Sequence, residues 1–215
     1  MRTADALPLL KNVVGKPFGE LFKDLPDDVR TNKGKIGQAL LMKIGVGLDS
    51  NLMDFDDGEL KTNKADANGN PMETMFITQI LRNVDSYLGP NPLPFSQTDL
   101  YKKINNLVFL PVCKTPINKD DWFFVDCHNI DLSKHGTLKE QLRRDYIAIT
   151  NKMRNDVENG DGKIHTSSGR FLQIRTKDSK PYNAIFSRHY NKYVSNKNYA
   201  FYFKKDFMRY CREHL

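Results

Sequence analysis

The sequence predicts a mixed α/β fold of the α+β kind, and three observations carry that expectation. Short apolar runs of strand length recur at 74–80, 107–112, 122–125, 171–176 and 199–203. Segments with helical spacing lie among them, the longest at 137–157, so helices and strands are interspersed. No solenoid-period repeat, low-complexity tract or long Gly/Ser linker interrupts the 215 residues, which therefore read as one domain spanning 1–215. With 39% hydrophobic residues and thirteen Phe, the chain can fill a core, which excludes disorder for most of its length.

Taken in order, residues 4–14 and 18–25 have helical patterning, and 35–44 places Ile36, Leu40, Leu41 and Ile44 on one helical face. Asp56-Asp57-Gly58 is a turn signal leading into Glu59-Leu60-Lys61-Thr62, whose alternation is that of a half-buried strand. A loop rich in turn formers, Asp66-Ala67-Asn68-Gly69-Asn70-Pro71, separates it from the strand at 74–80. Strands follow at 107–112 and 122–125, then the long helix. A Gly-containing turn introduces the strand at 171–176, and a last strand covers 199–203.

The charge is segregated. The whole chain is +7, but residues 163–215 alone carry +9 while 1–162 carry −2. Such a field suits a polyanion, nucleic acid or an anionic membrane surface, and equally a solvated basic face. No apolar run approaches the roughly 18 residues of a membrane span, and Met1–Leu10 is too short and mixed for a signal peptide. A cytoplasmic protein with no membrane partner is therefore expected. Cys113, Cys127 and Cys211 form no CxxC and no paired framework, so free thiols are expected and zinc and disulfides are not.

The sharpest local chemistry is Asp54 followed by Glu59-Leu60-Lys61. On a strand, Glu59 and Lys61 share a face while Leu60 turns to the core. Asp54 and Glu59 are hard oxygen ligands suited to Mg²⁺, and Lys61 supplies a point charge that can orient or activate an attacking water. Phosphodiester hydrolysis fits that set; so does a plain ion pair on an exposed strand. Two calcium-like segments fail on register. Around Asn159-Gly160-Asp161-Gly162, Val157 and Ser168 occupy the terminal ligand positions, and the 66–70 loop places its glycine too early, so both read as turns. His128 beside Cys127 and His214 near Cys211 lack a second ligand pair. The basic last quarter interleaves aromatics with charge, in Arg188-His189-Tyr190, Lys192-Tyr193 and Phe201-Tyr202-Phe203-Lys204-Lys205. Phe201 and Phe203 are expected in the core, Lys204 and Lys205 at a solvated edge, and Tyr202 on the accessible face, where a DNA surface is plausible.

Read in order, Lys33-Gly34-Lys35-Ile36-Gly37, Asp54-Phe55, Gly58-Glu59-Leu60-Lys61-Thr62, Glu73-Thr74, Leu110-Pro111-Val112, Leu172-Gln173-Ile174-Arg175 and Phe201-Tyr202-Phe203-Lys204-Lys205 resemble the MutH family. Gly15 and Gly19-Glu20-Leu21 extend the likeness over nearly the whole chain. That family comprises the mismatch-repair nicking endonuclease and related type II restriction endonucleases cutting at GATC. The resemblance implies a restriction-endonuclease-like fold, with a mixed central sheet flanked by helices and two lobes forming a DNA cleft. It implies a Mg²⁺ site at Asp54 and Glu59, Lys61 as the catalytic lysine, and DNA contacts from Lys33, Lys103, Arg175 and Tyr202.

Two departures from the family pattern stand out. A glutamate usual on the helix after the Gly-x-Ile-Gly block is replaced by Leu41 or Met42. The aspartate-to-glutamate interval is about two residues shorter than the family motif, so Asp56 or Asp57 could stand in for Asp54. The leading expectation is a Mg²⁺-dependent restriction endonuclease acting on double-stranded DNA at GATC. Segments 175–179 and 195–198, which look more like the restriction relatives, favour this over a mismatch-repair nickase served by an activating partner protein. One nuclease motif per chain means that a double-strand cut requires a homodimer on DNA or two sequential events. A catalytically inactive DNA-binding module of the same fold is the contrasting expectation.

Overall fold

The computed structural model describes residues 1–25, 35–47, 52–177 and 180–215. It is a mixed α+β structure that divides into two compact units. The first comprises Met1–Met75, Lys103–Leu132 and Met208–Leu215; the second comprises Phe76–Lys102 and Ser133–Phe207.

In the first unit, helices α1 (Thr3–Lys11), α2 (Phe18–Leu21) and α3 (Ile36–Lys43) accompany a sheet of β1 (Glu59–Ala65), β3 (Asn106–Cys113), β4 (Phe123–Phe124) and β5 (His128–Asp131). Strand β1 runs parallel to β3, with Glu59 opposite Leu107 and Lys61 opposite Phe109, while β4 and β5 pair antiparallel with β3. Strand β3 is buried along seven of its eight residues, as expected of a strand flanked on both edges and covered on both faces. One core gathers Leu10, Phe18, Phe22, Leu40, Leu60, Val108 and Phe124. The rings of Phe18 and Phe22 meet edge-on with centroids 4.9 Å apart, a favourable arrangement of their quadrupoles. The helix expected at 18–25 ends after one turn, as its apolar Phe18, Leu21 and Phe22 are already buried there.

Strand β1 differs from the half-buried strand the sequence suggested. Leu60 is buried, and so is its polar neighbour Glu59, at 2% exposure. The aliphatic stems of Lys61 and Lys103 accompany the carboxylate on what would otherwise be the open face, with side chains 18% and 17% exposed.

In the second unit, β2 (Met75–Gln79), β10 (Tyr199–Phe203), β7 (Leu172–Thr176) and β6 (Ser167–Ser168) form a sheet in that spatial order, and the long helix α6 (Gly136–Asn159) packs on β6 and β7. An aromatic core joins Tyr87, Phe95, Tyr146 and Phe201, with the Tyr146 hydroxyl donating to the Leu93 carbonyl at 2.7 Å. Buried Asp145 on α6 accepts the N–H groups of Arg170, Phe171 and Leu172 and the Gln141 amide, at 2.6–2.9 Å. The bend it holds passes so close that a Cβ on Gly169 would stand 2.4 Å from the Asp145 carboxyl carbon, so only glycine fits there.

Several short elements exceed what the sequence pattern announced: α4 (Asp85–Leu88), α5 (Asp99–Ile104), β5, and the antiparallel ribbon of β8 (Ile185–Ser187) and β9 (Lys192–Ser195). Helix α7 (Lys205–His214) begins where a solvated edge was expected; Lys204 bonds the Gly169 carbonyl at 3.0 Å instead. Cys113, Cys127 and Cys211 are free thiols. Among the described residues, no helix is long and apolar enough to cross a membrane.

Candidate functional site

A knot of polar contacts ahead of β1 fixes its entry. Asp57 accepts the Thr3 N–H and hydroxyl, each at 2.7 Å, at the start of α1, where a carboxylate complements the helix dipole. Asn106 bonds the Asp57 carbonyl at 3.1 Å. A Cβ on Gly58 would stand 2.5 Å from the Asn106 carbonyl oxygen, so glycine lets the turn press onto β3 and delivers Glu59 as the first residue of β1.

Glu59 is the centre of the cluster. Its Oε1 accepts from Lys61 Nζ and from Lys103 Nζ, the latter at 2.8 Å, and its Oε2 is buried with no hydrogen-bond partner. Lys103 comes from the last turn of α5, 44 residues along the chain, and both lysines belong to the first unit with Glu59. Asp54 stands beside them, its Oδ2 accepting the Leu60 N–H at 3.0 Å. Burial pushes the Asp54 carboxyl above its ordinary value and the Glu59 charge adds to this, against the opposing pull of Lys61, the Leu60 N–H and Lys103. Two carboxylates and two ammonium groups therefore share one partly dry site.

The three candidate aspartates part company here. Burial opposes the charge on Asp57, but the Thr3 donors and Arg2 outweigh it and hold its carboxyl below the ordinary value. That carboxylate is committed to the turn. The Asp56 side chain is 68% exposed and pairs with the Met1 amine. Asp54 is electrostatically coupled to Glu59.

The donor chemistry fits a hard divalent cation. Mg²⁺ takes one or two carboxylates and completes its shell with water and phosphate oxygens. An orphaned, buried carboxylate oxygen on Glu59 with a second carboxylate adjacent is the oxygen pair such an ion would use. Among the described residues no group of three His, Cys, Asp or Glu side chains suited to a metal occurs. Of the two helix residues singled out in the sequence as standing where a glutamate would be expected, Leu41 lies in the core and Met42 is exposed.

The residues expected to contact DNA fall in different places. Lys33 lies outside the described residues. Lys103 is an ion-pair partner of Glu59 rather than an outlying basic side chain. Arg175 and Tyr202 are together in the second unit: in the β7–β10 pairing Arg175 sits opposite Ala200, one diagonal step from Tyr202, and its guanidinium lies 4.3 Å from the Tyr202 ring centroid. Tyr202 was expected to be accessible and is only 5% exposed, because all five residues of β10 are buried and the Phe76 ring meets it edge-on at 5.7 Å. Arg175 and Lys177 are exposed, and Lys177 Nζ lies 5.7 Å from the Phe76 centroid. The outward surface of this patch is thus two cations on two rings.

The two calcium-like segments are turns. Asp66 accepts the N–H groups of Asn68 and Asn70, and Asp161 accepts the Lys163 N–H and bonds His165. Sequence reasoning missed Arg82 and Phe186, which line a cavity of about 560 Å³ in the second unit. Only the neighbouring run Arg188-His189-Tyr190 gave a signal there. Compared with models of protein families the chain matches none, and no curated protein matches it.

Proposed function

We propose that this protein is a Mg²⁺-dependent, sequence-specific DNA endonuclease of the MutH-like restriction class, hydrolysing phosphodiester bonds at GATC. The observation that carries the reading is the Asp54–Glu59–Lys61–Lys103 cluster, with its unpartnered Glu59 oxygen. Asp54 and Glu59 would hold the cation, which when bound supplies charge stabilisation and an acidified water. Lys61 and Lys103 bring two positive charges to the same carboxylate, where an incoming phosphodiester needs compensation for charge developing on its oxygens. Lys61, two residues along β1 from Glu59 and on the same face, orients the attacking water or stabilises the in-line transition state. Arg175 and Lys177 supply exposed cations for the DNA. A restriction-endonuclease-like arrangement with two lobes around DNA, and a homodimer for the double-strand cut, complete the reading.

The test is a time course on supercoiled plasmid bearing unmethylated GATC sites, with Mg²⁺ and with EDTA. Metal-dependent fragments ending at GATC are the expected result; open circles nicked at GATC identify a mismatch-repair type of enzyme instead. Lys61→Ala should cut at least about 100-fold more slowly while retaining DNA affinity. Intact plasmid despite DNA binding would overturn the enzymatic reading in favour of a binding module.

A further inference from the structure

The β8–β9 ribbon presents chemistry that the proposed cleavage site does not use. Its inner face is sealed, with Ile185, Ser187 and Val194 fully buried. Its outer face leaves Phe186 and Tyr193 exposed at 42% and 56%, their rings in edge contact at 5.2 Å. Contiguous exposed apolar surface rimmed by polar groups is the kind that marks interaction sites. The ribbon is also firmly held. Asp85 at the start of α4 accepts the Ser187 hydroxyl and the Arg188 N–H, the Tyr190 hydroxyl reaches Glu158 at 2.6 Å, and Lys192 reaches the Val157 carbonyl at 3.2 Å.

Beside the ribbon lies the cavity of about 560 Å³, open and polar, bounded by residues 81–86 and by Ala184, Phe186 and Arg188. Exposed Arg82 and Arg188 both line it, one from each of the two chain segments that bound it. The acid in the same lining, Asp85, has its oxygens engaged by the Ser187 hydroxyl and the Arg188 N–H. Charge on the larger scale agrees, for the second unit carries +9 and the first −2.

We infer that this cavity and the outer face of the β8–β9 ribbon form a second DNA contact, seating the sugar-phosphate backbone of duplex DNA with Arg82 and Arg188 on phosphates and Phe186 against the sugar. The inference rests on the reading of the protein as a DNA enzyme. Guanidinium forks match phosphate oxygens, and the adjoining ring covers the apolar sugar face between successive phosphates. The contact supplies affinity and not chemistry.

The experiment measures binding of a fluorescent 30-base-pair GATC duplex by anisotropy, in EDTA, across a range of KCl concentrations. Each lost phosphate contact lowers the slope of log K against log[salt] by about 0.9, so Arg82→Ala/Arg188→Ala should lower it by about 1.8. Phe186→Ala should weaken binding with an unchanged slope. With Mg²⁺ present, the same substitutions should raise the DNA concentration needed for half-maximal cleavage, as expected of groups that serve affinity. Arg143→Ala/Arg144→Ala on α6 removes the same charge elsewhere in the unit and should keep the parent slope. An arginine double variant with the parent slope, or a control that loses as much, overturns this contact while leaving the endonuclease reading intact. A parent that binds without cutting, with the slope lost in the variant, upholds the contact and overturns the endonuclease; a parent that binds no duplex overturns both.

Discussion

Glu59 has one oxygen with two ammonium partners and one with none, a lopsided state for a carboxylate that is 2% exposed. Removing Lys103 leaves much of that buried charge uncompensated. Lys103→Met should therefore destabilise the protein by on the order of 3 kcal/mol in urea unfolding, and Lys103→Met/Glu59→Gln should recover most of it. An unrecovered loss in the double variant would locate the defect in packing of the lysine stem. Asp54 makes an opposite prediction. Its carboxyl is raised above the unfolded value, so the fold binds an extra proton between the two values and loses stability as pH rises through that window. In EDTA, Asp54→Asn should be at least as stable as the parent at pH 7 and should show a weaker pH dependence on the acid side. Asp54, Glu59 and Lys61 were legible because they fall within eight residues of sequence; the partnership with Lys103 was not, because only the β1–β3 pairing and the end of α5 bring it there.

At the scale of elements, the Asp145 carboxylate ties α6 to the bend that leads into β7 by accepting three successive backbone N–H groups. Asp145→Ala leaves those donors dry and should cost about 3–5 kcal/mol, seen as a fall of roughly 2–4 °C in Tm per kcal/mol. Gly169→Ala should also destabilise, through the clash with the same carboxylate, and an unchanged Tm in either variant would contradict this account. The long helix and the strands at β3, β7 and β10 were legible because their periodicity runs for five residues or more. Helices α4 and α5 and strands β8 and β9 were not, since four to six residues make fewer than two helical turns and three or four residues at most two strand repeats. Tyr202 shows a further limit: alternation assigns opposite faces within β10, but nothing in it reveals that Phe76 and Arg175 cover the second face.

For the whole molecule, the excess positive charge is a property of one unit, +9 against −2, and the sequence had already placed it in the last quarter of the chain. DNA affinity should consequently fall steeply with salt, about 10³-fold or more between 50 and 200 mM KCl if six or more phosphates are contacted. A weak salt dependence would mean that the basic unit faces solvent rather than DNA. The boundary of the two units was not legible, because each unit is assembled from separated stretches and no linker composition marks it. That weaving has a consequence for inheritance. Any single recombination crossover within residues 76–207 leaves the first unit with parts from both parents. A relative's basic unit can be grafted whole onto this chain only by exchanging 76–102 and 133–207 together, so shuffled descendants that keep one block without the other inherit a mismatched fold before they inherit a new specificity.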